Sequence, residues 1–536
     1  MRVARLGISL FALLAAKEAR ADQTLTFDGA VPTDALDHFF VAFQVPAGTQ
    51  EIEILHTGAP STNILDFGLN DENGYRGWGG GTSEDAIVGV NAASRAYVPG
   101  PITAGTWSVV VGKAKIVASP ATYHIVVTIR TTPTLAPQTD RKPYVPSKPL
   151  ETSHRYYACD FHVHDRESTD ASPTLEANIQ YAQTVGLDAI EASDHNTITQ
   201  DDYITDLQAK YPKILIIPGI EWTSYHGHGN AMGALKWVDH KIGQPAMNGN
   251  PPVTIENQIA AVHQQQGVLF AINHPALDLG NLCIGCAWSY TSIDPKTVDA
   301  FEVESGGYKQ AGFVFTNAAL AMWDSMLGAG AHIAAIGGSD DHSGGDDNGP
   351  FKSAIGNPTT YVMADELTVA AILKGVKNGQ TVVKMQDSHD PMIELTSNVP
   401  PVGDTVSAKT AVLQATITGG NLPGVTVEFV QNGVALAEVP VTSDPFTFST
   451  NVTAPASGED RWRVQLLEQE KPRVVTSHMF VRYDPKGPDG VSTAASEEGS
   501  FGTGGGCDVA SNTSSGGIFA WLVAVGAVLT GIRRRR

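Results

Sequence analysis

The sequence lacks any excess of positive charge, and it lacks two common catalytic motifs. Its 56 acidic residues outnumber its 35 basic residues, and the formal net charge of −21 argues against binding nucleic acid through a broad basic surface. A small phosphorylated substrate is compatible with this charge, because bound divalent cations supply positive charge locally. The sequence contains no G-x-S-x-G and no G-x-x-x-x-G-K-[ST] motif, which disfavours a serine hydrolase and a nucleoside triphosphatase.

Cysteine is also scarce, with four residues in a chain of 536. Cys283 and Cys286 form a lone C-x-x-C pair, and no second pair exists to complete a zinc knuckle. In an exported protein this pair predicts a local disulfide, with a redox or metal-binding role as the less favoured alternative.

Both ends of the chain have the features of targeting segments. Residues Met1–Ala21 begin with arginines, continue through an apolar run and end in A-x-A, which predicts a secretory signal peptide cleaved before Asp22. Within residues 507–536, Cys507 precedes the apolar run Ile518–Ile532 and four arginines. This run is shorter than the roughly 20 residues that span a bilayer comfortably, and the arginines would stay on the cytoplasmic side.

The C-terminal segment resembles the sorting tag of myxobacterial surface proteins, in which a Gly-rich cysteine precedes an apolar run and an arginine cluster. The alternative is a plain single-pass anchor. Both interpretations predict an exported protein, located at the cell surface or outside the cell, either outer-membrane-associated or secreted. Its membrane contact would be the C-terminal anchor or the sorting machinery.

The character of the sequence changes twice between these ends. Residues 22–131 alternate apolar and polar residues over short stretches and predict an N-terminal β-sandwich. Residues 132–153 are rich in proline and predict a linker. Over residues 154–386, apolar runs alternate with helical patterns, which predicts an α/β barrel or a doubly wound sheet. Residues 391–483 predict an immunoglobulin-like β-sandwich, and residues 484–506 predict a disordered spacer.

Five segments of the middle domain concentrate His, Asp and Glu, and each follows an apolar run typical of a strand. They lie within residues 158–164, 186–196, 217–228, 270–275 and 335–342. Because α/β barrels carry their chemistry at the carboxyl ends of strands, we expect these side chains to meet. Imidazole with carboxylate suits Zn, Mn or Fe, whereas an all-oxygen set suits Mg or Ca. There are more candidate ligands than one ion can use, which favours a catalytic over a structural metal site.

The order of these motifs is that of a known superfamily. His162 and His164 lie two residues apart on a predicted strand, so they share a face and can bind one ion together. The succession H-x-H, D-H, Glu, His-Pro and G-S-D-x-H over residues 154–386 resembles the PHP (polymerase and histidinol phosphatase) superfamily. Segments Gly219–Thr223 and His228–Gly233 resemble its CehA/McbA-like metallohydrolase branch most. The resemblance implies a central distorted (β/α)7 barrel, here flanked by two β-sandwich domains.

The resemblance also implies which residues bind metal ions. One ion would be bound by His162, His164, Glu221 and Asp340. Glu221 would bridge to a second ion, which His228 and His274 also bind. A third ion would be bound by Asp170, His195 and His342. The surrounding Gly-His-Gly-Asn sequence favours His228 over His226, and we expect Asp341 and His263 to be structural.

The expected cofactors are therefore two or three divalent metal ions, with Zn, Mn and Fe as candidates. Clustered cations lower the pKa of a shared water from 15.7 towards about 7, which supplies a metal-bound hydroxide as the nucleophile. Asp194 is expected to orient a neighbouring ligand. Arg166 and Lys309 are candidates for holding an anionic substrate, and ordinary surface charge is the alternative for both.

The function that the resemblance implies is hydrolysis of a phosphate ester, in a small-molecule or lipid substrate. The alternative is hydrolysis of a carbamate or carboxylic ester, because relatives in the same branch include carbaryl hydrolases and the same attack serves a carbonyl centre. The third hypothesis is a non-catalytic surface binding protein with a degenerate barrel. It predicts lost ligands, whereas every motif position holds a competent residue.

Overall fold

The structure is a computed structural model in which three sheet-based parts follow one another, with many strands and few helices. It describes residues 22–490, apart from residues 58–61, 246–249, 281–282, 307, 309–312, 347, 349–351 and 421–422. The described residues belong to one compact unit. The predicted signal peptide, the C-terminal segment, most of the predicted spacer and Lys309 lie outside the described residues. Among the described helices, none is long and apolar enough to cross a membrane.

The N-terminal part consists of two sheets that share one apolar core. Its strands are β1 (Gln23–Ala30), β2 (His38–Val45), β3 (Glu51–Thr57), β4 (Ile64–Asp71), β5 (Gly74–Gly80), β6 (Ala86–Gly89), β7 (Gly105–Lys115) and β8 (Thr122–Arg130). They form two four-stranded sheets in the orders β1-β8-β3-β6 and β2-β7-β4-β5, and every pairing is antiparallel. Alternate residues of β8, namely Ile125, Val127 and Ile129, are buried between the sheets, as the period of two requires.

The middle part alternates strands with helices. Its strands are β9 (Arg155–Val163), β10 (Ala189–Ala192), β11 (Leu215–Ser224), β12 (Gly227–Met232), β13 (Leu269–Ile272), β14 (Ala300–Ser305) and β15 (Ala334–Gly338). Its helices are α1 (Leu175–Thr184), α2 (Asp201–Lys210), α3 (Ile255–His263) and α4 (Phe313–Leu327). Thr174 and Thr254 cap α1 and α3 by accepting a backbone N–H, which satisfies donors that a helix start leaves free.

The seven strands β9 to β15 pair in chain order, but the described strands do not form a closed (β/α)7 barrel. The pairings are parallel except on both sides of β12, which runs antiparallel to β11 and β13. Residues Arg155–Cys159 of β9 pair with the later strand β16 (Thr359–Ala364). The carboxyl end of β9 contacts the chain after β15 through two backbone hydrogen bonds, from His164 N to Asp341 O at 3.0 Å and from Asp340 N to His162 O at 2.9 Å.

The C-terminal part continues the middle sheet. After β16 come α5 (Val369–Lys377), β17 (Thr381–Lys384), β18 (Met392–Ser397), β19 (Thr405–Ala408), β20 (Thr410–Thr418), β21 (Val425–Gln431), β22 (Val434–Ala435), β23 (Val439–Pro440), β24 (Phe446–Thr453), β25 (Glu459–Glu468), β26 (Lys471–Thr476) and β27 (Met479–Tyr483). Strand β17 pairs with β26, so one sheet runs from the middle part into the C-terminal part. The three-stranded sheet β18-β20-β24 shares its apolar core with that sheet. Residues 484–490 continue along this part, where Gly490 N donates to Thr410 O at 2.9 Å.

His332 links the middle and C-terminal parts through two carboxylates. Its Nδ1 lies 2.8 Å from Asp404 and its Nε2 lies 2.6 Å from Glu459. Burial lowers the pKa of His332, but these hydrogen-bonded carboxylates outweigh burial and raise the pKa above its usual value. The protonated imidazole therefore stabilises the folded chain.

We expect this stabilisation to be present below the unfolded pKa of about 6.5 and to be lost as the pH rises through the raised folded pKa. Between about pH 6 and pH 9, the urea midpoint of the wild-type chain should fall further than that of His332→Gln. The measurement is urea denaturation of both proteins at several pH values. Parallel pH dependences in the two proteins would contradict the prediction.

Candidate metal centre

Several strands bring the predicted ligands to one edge of the middle sheet. Residues at or after the carboxyl ends of β9, β10, β11, β13 and β15 meet there. Strand β12 runs in the opposite direction, so its first residues, which include His228, reach the same edge. The structure thus brings together all nine residues predicted as ligands, His162, His164, Asp170, His195, Glu221, His228, His274, Asp340 and His342.

The fully buried carboxylate of Glu221 lies at the centre of this group. Its oxygens lie 3.3 Å from His162, 3.5 Å from His164, 2.7 Å from His195, 3.3 Å from His228 and 3.0 Å from His274. Burial by itself raises the pKa of Glu221, but the imidazoles of His195, His162 and His228 hold that pKa well below its usual range. The carboxylate is therefore ionised, as a metal ligand must be.

The first cluster of donor atoms fits one cation. Atoms of His162, His164, Glu221 and Asp340 lie within 4.8 Å of one another. Among the described residues, His162 Nε2, His164 Nε2, Glu221 Oε2 and Asp340 Oδ1 are buried and form no hydrogen bond of good geometry, although they lie 2.7 to 3.5 Å from other candidate ligands. Buried polar atoms are rarely left in this state. A divalent cation would satisfy all four atoms, so the residues present fit the metal that the sequence predicts.

The second cluster contains His164, His195 and His342. Asp170 Oδ2 lies 3.4 Å from His195 Nε2 and 3.6 Å from His342 Nε2. Burial, together with the charges of His342 and His195, lowers the pKa of His164 to about 3, which keeps it in the neutral form that binds metal. The side chain of Asp170 is 57% exposed, so this end of the centre is open to solvent.

The third cluster includes Glu221 itself. His195, Glu221 and His228 offer donor atoms within 4.8 Å of one another. Both ring nitrogens of His228 are buried and have no hydrogen-bond partner in the described part of the chain. His274 Nε2 lies 3.0 Å from Glu221 Oε1. Glu221 thus contacts all three clusters, which is the position that a bridging ligand requires.

Three residues at this edge have a left-handed backbone conformation. The φ angles are 54° at Asp340, 26° at His274 and 52° at Asn196. Residues other than glycine adopt this region uncommonly, and such residues concentrate at functional sites where the surrounding structure holds them. Two of the three are predicted ligands.

Glu302 is a buried part of the centre that the sequence analysis missed. Its Oε1 lies 2.9 Å from His162 Nδ1, and its Oε2 accepts from His274 N at 2.7 Å. A carboxylate on Nδ1 places the proton there and leaves Nε2 of His162 free to bind metal. The sequence did contain a signal for Glu302, since it is an acidic residue within the apolar run Ala300–Ser305. Buried strands rarely carry an unpaired charge, so such a residue indicates a specific partner.

The predicted disulfide between Cys283 and Cys286 is present, and it lies beside a candidate ligand. His274 Nδ1 lies 3.1 Å from the carbonyl oxygen of Cys286. The carbonyl can only accept, so His274 carries its proton on Nδ1 and presents Nε2 to Glu221. The disulfide therefore constrains the loop that orients His274.

Asp194 was predicted to orient a neighbouring ligand and Arg166 to hold an anionic substrate, and the two side chains have different surroundings. Asp194 Oδ1 accepts from Asp165 N at 2.8 Å and lies 3.9 Å from His164 Nδ1, beyond hydrogen-bond distance. The half-exposed guanidinium of Arg166 lies 3.8 Å from Glu167. Asp194 is thus buried beside a ligand, whereas Arg166 extends towards solvent.

The remaining candidates have structural partners. His226 Nε2 lies 3.0 Å from Asp37, and the His226 side chain is half exposed. His263 Nε2 lies 2.8 Å from Asp299. Asp341 accepts backbone N–H groups from the turn that follows it. These contacts agree with the preference for His228 over His226.

Comparison with known proteins gives distant matches to solved structures alone. No protein-family model matches the sequence, and no curated protein matches it. A two-domain protein from Bacteroides vulgatus, described as containing a predicted PHP-like metal-dependent phosphoesterase, is 16% identical, covers 64% of this chain and 100% of its own, and has a TM-score of 0.35. A Bifidobacterium adolescentis protein, assigned by inference as a metal-dependent phosphoesterase, is 15% identical, covers 37% and 92%, and has a TM-score of 0.24. Function is therefore inferred from the geometry of the metal centre.

We expect Glu302→Gln to weaken metal binding by about 10- to 100-fold. Both carboxylate oxygens of Glu302 accept hydrogen bonds, and a glutamine replaces one acceptor by a donor. The measurement is calorimetric titration of the metal-free full chain with Zn²⁺ or Mn²⁺.

Glu304→Gln is the matched control. Glu304 lies on the same strand, is buried and contacts Thr316. Burial raises the pKa of Glu304 to about 8, so at neutral pH it is already a neutral acid that an amide resembles. Equal losses of affinity in the two variants would show that Glu302 does not orient the ligands.

Proposed function

We propose that this chain is a metal-dependent hydrolase of the PHP superfamily that cleaves a phosphate ester and uses two or three divalent cations, Zn, Mn or Fe. The observation that carries the proposal is the group of nine histidine and carboxylate side chains around Glu221, with buried donor atoms that form no hydrogen bond of good geometry among the described residues.

The form of the centre supports catalysis rather than structural metal binding. A structural zinc site is closed at four ligands and typically uses cysteine. Here His and carboxylate groups supply three overlapping clusters, and side chains at one end are accessible, with Asp170 57% and His342 28% exposed. A substrate can therefore reach the ions from the side of Asp170.

The residues of the chain prepare the ligands for this role. When bound, clustered divalent cations lower the pKa of water and neutralise negative charge on the ester oxygens. Glu302 and the Cys286 carbonyl fix the protons of His162 and His274 on Nδ1. The ligands on the Glu221 side are buried, which excludes bulk water there and strengthens their electrostatic interactions.

A phosphate ester is the favoured substrate class because several cations side by side can bind several charged oxygens of one phosphoryl group. The resemblance of the motifs to the PHP superfamily supports the same class. Hydrolysis of a carbamate or carboxylic ester remains the alternative, and the substrates of the test separate the two.

We expect His228→Ala to abolish turnover, while His226→Ala retains it. The two imidazoles lie two residues apart, but His228 contacts Glu221 and His226 pairs with Asp37. The full chain would be assayed with bis-p-nitrophenyl phosphate, p-nitrophenyl phosphate and 1-naphthyl N-methylcarbamate after addition of Zn, Mn or Fe. Loss of a ligand should lower phosphate-ester turnover by more than about 100-fold. Even the loss of a residue that only hydrogen-bonds to a ligand typically lowers metal affinity or activity by about 10- to 100-fold.

Metal content and substrate preference together distinguish the phosphoesterase from the carbamate hydrolase and from a non-catalytic binding protein. The His162→Ala/His164→Ala variant should lose bound ions as well as activity. Turnover of the carbamate alone would move the assignment to the alternative. A wild-type chain that binds no metal and hydrolyses none of the three compounds would favour a non-catalytic binding protein.

We also propose that the chain is exported and acts at the cell surface or outside the cell. The sequence of residues 1–21 supports this, and so does the Cys283–Cys286 disulfide, because disulfides persist in oxidising compartments. N-terminal sequencing of the exported protein is expected to begin at Asp22. A mature chain that still begins at Met1 would contradict cleavage.

A further inference from the structure

The loop that carries Asp170 is held by the N-terminal part of the chain. We define the Asp170 loop as residues 165–171, between β9 and α1. Arg95, which lies between β6 and β7, donates to three carbonyl oxygens of this loop, at 3.1 Å to Arg166, 2.8 Å to Thr169 and 3.0 Å to Ala171. Two of these carbonyls directly flank Asp170.

Arg95 is itself fixed in place. Its Nε and one terminal nitrogen donate to the two oxygens of Glu84, both at 2.7 Å. A guanidinium has five N–H donors in a rigid fork, and these two bonds with the three to the Asp170 loop use all five. A lysine could not reproduce this geometry.

Two further contacts join the same partners. Thr169 Oγ1 donates to Gly79 O at 2.6 Å, and Ala96 N donates to Glu167 Oε2 at 3.0 Å. The N-terminal part therefore contacts the Asp170 loop on both sides of Ser168, through backbone and side chain. Tyr225 also donates to Asp66 at 2.7 Å, which adds a contact between the N-terminal and middle parts.

Asp170 needs this support because it lies at the exposed end of the metal centre. Its side chain is 57% exposed, and Ser168 Oγ donates to its Oδ1 at 2.9 Å. An exposed carboxylate on a loop samples many conformations unless its backbone is held. Its distances of 3.4 and 3.6 Å to His195 and His342 therefore depend on the position of the loop.

We propose that Arg95 is a positioning residue for the cation bound by Asp170, His195 and His342, so that the N-terminal sandwich is an integral part of the metal centre. This inference rests on the proposed function, because it assumes that the cluster binds metal. It assigns a role to a sandwich that sequence analysis could describe only as flanking the catalytic domain.

The test compares Arg95→Ala with Arg76→Ala in the full chain. Arg76 is a matched control because it donates to three carbonyl oxygens within the sandwich, those of Val98, Gly100 and Pro101, and pairs with Asp71 at 3.3 Å. Both variants lose a guanidinium from the same domain. Arg95 alone of the two contacts the Asp170 loop.

Two readouts are measured for each variant. Calorimetric titration with Mn²⁺ gives the number and affinity of bound ions, and we expect Arg95→Ala to weaken one class of ion by about 10- to 100-fold while the others keep wild-type affinity. Hydrogen exchange of the metal-free chain gives the protection of residues 165–171, which should decrease in Arg95→Ala alone. A loss of stability spread over the sandwich would not produce this selective pattern.

The readouts separate the failure of this inference from that of the proposed function. Identical ion binding in Arg95→Ala and Arg76→Ala overturns the positioning role, whether or not loop protection changes. If the wild-type chain binds no Mn²⁺, Zn²⁺ or Fe²⁺, the proposed function fails first, and the inference fails with it.

If Arg95→Ala does not fold, Thr169→Val replaces it, because this variant removes the hydroxyl that donates to Gly79 and keeps the side-chain shape. Loss of one ion class in Thr169→Val then supports the inference, and wild-type binding overturns it.

Discussion

The buried carboxylate of Glu221 is the constraint on which the middle part of the chain depends. A carboxylate removed from water is costly unless opposite charge and hydrogen bonds surround it, and here five imidazoles from four different regions of the chain contact it. The reversed direction of β12 contributes to meeting this requirement, since it brings His228 to the same edge as the other predicted ligands. The three donor clusters share Glu221 or its immediate neighbours, so the ions that we propose would be coupled through one residue.

Much of the centre was predictable from the sequence because its ligands follow local strand signals. The alternation of apolar runs and helical patterns predicted over residues 154–386 corresponds to strands β9 to β15 and helices α1 to α4. Motifs placed after such strands had to meet at one edge once the sheet formed. This is why all nine predicted residues lie together, whereas His226 and Arg166, which lie in or beside the same motifs, have other partners.

The sequence could not show which distant strands and side chains would contact one another. Local periodicity predicts a strand but not its neighbour, and nothing in Arg155–Cys159 indicates that its partner is β16, some two hundred residues later. That pairing leaves the expected barrel open and extends its sheet into the C-terminal part. Glu302 and Arg95 were missed for a related reason, because each acts on a ligand or loop far away in sequence and neither lies in a recognisable motif.

The pairing of β9 with β16 has a consequence for how the chain folds. The first two predicted ligands are His162 in β9 and His164 directly after it, yet the second edge of β9 is covered only when residues 359–364 arrive. Contacts of such long sequence separation form slowly, because the chain entropy of closing a large loop is lost before the contact is gained. Until residues 359–364 pair with it, β9 has an uncovered edge, and uncovered strand edges favour association with other chains. We therefore expect the end of β9, and with it the candidate metal centre, to be fixed late in folding, once residues 359–364 have paired with that strand.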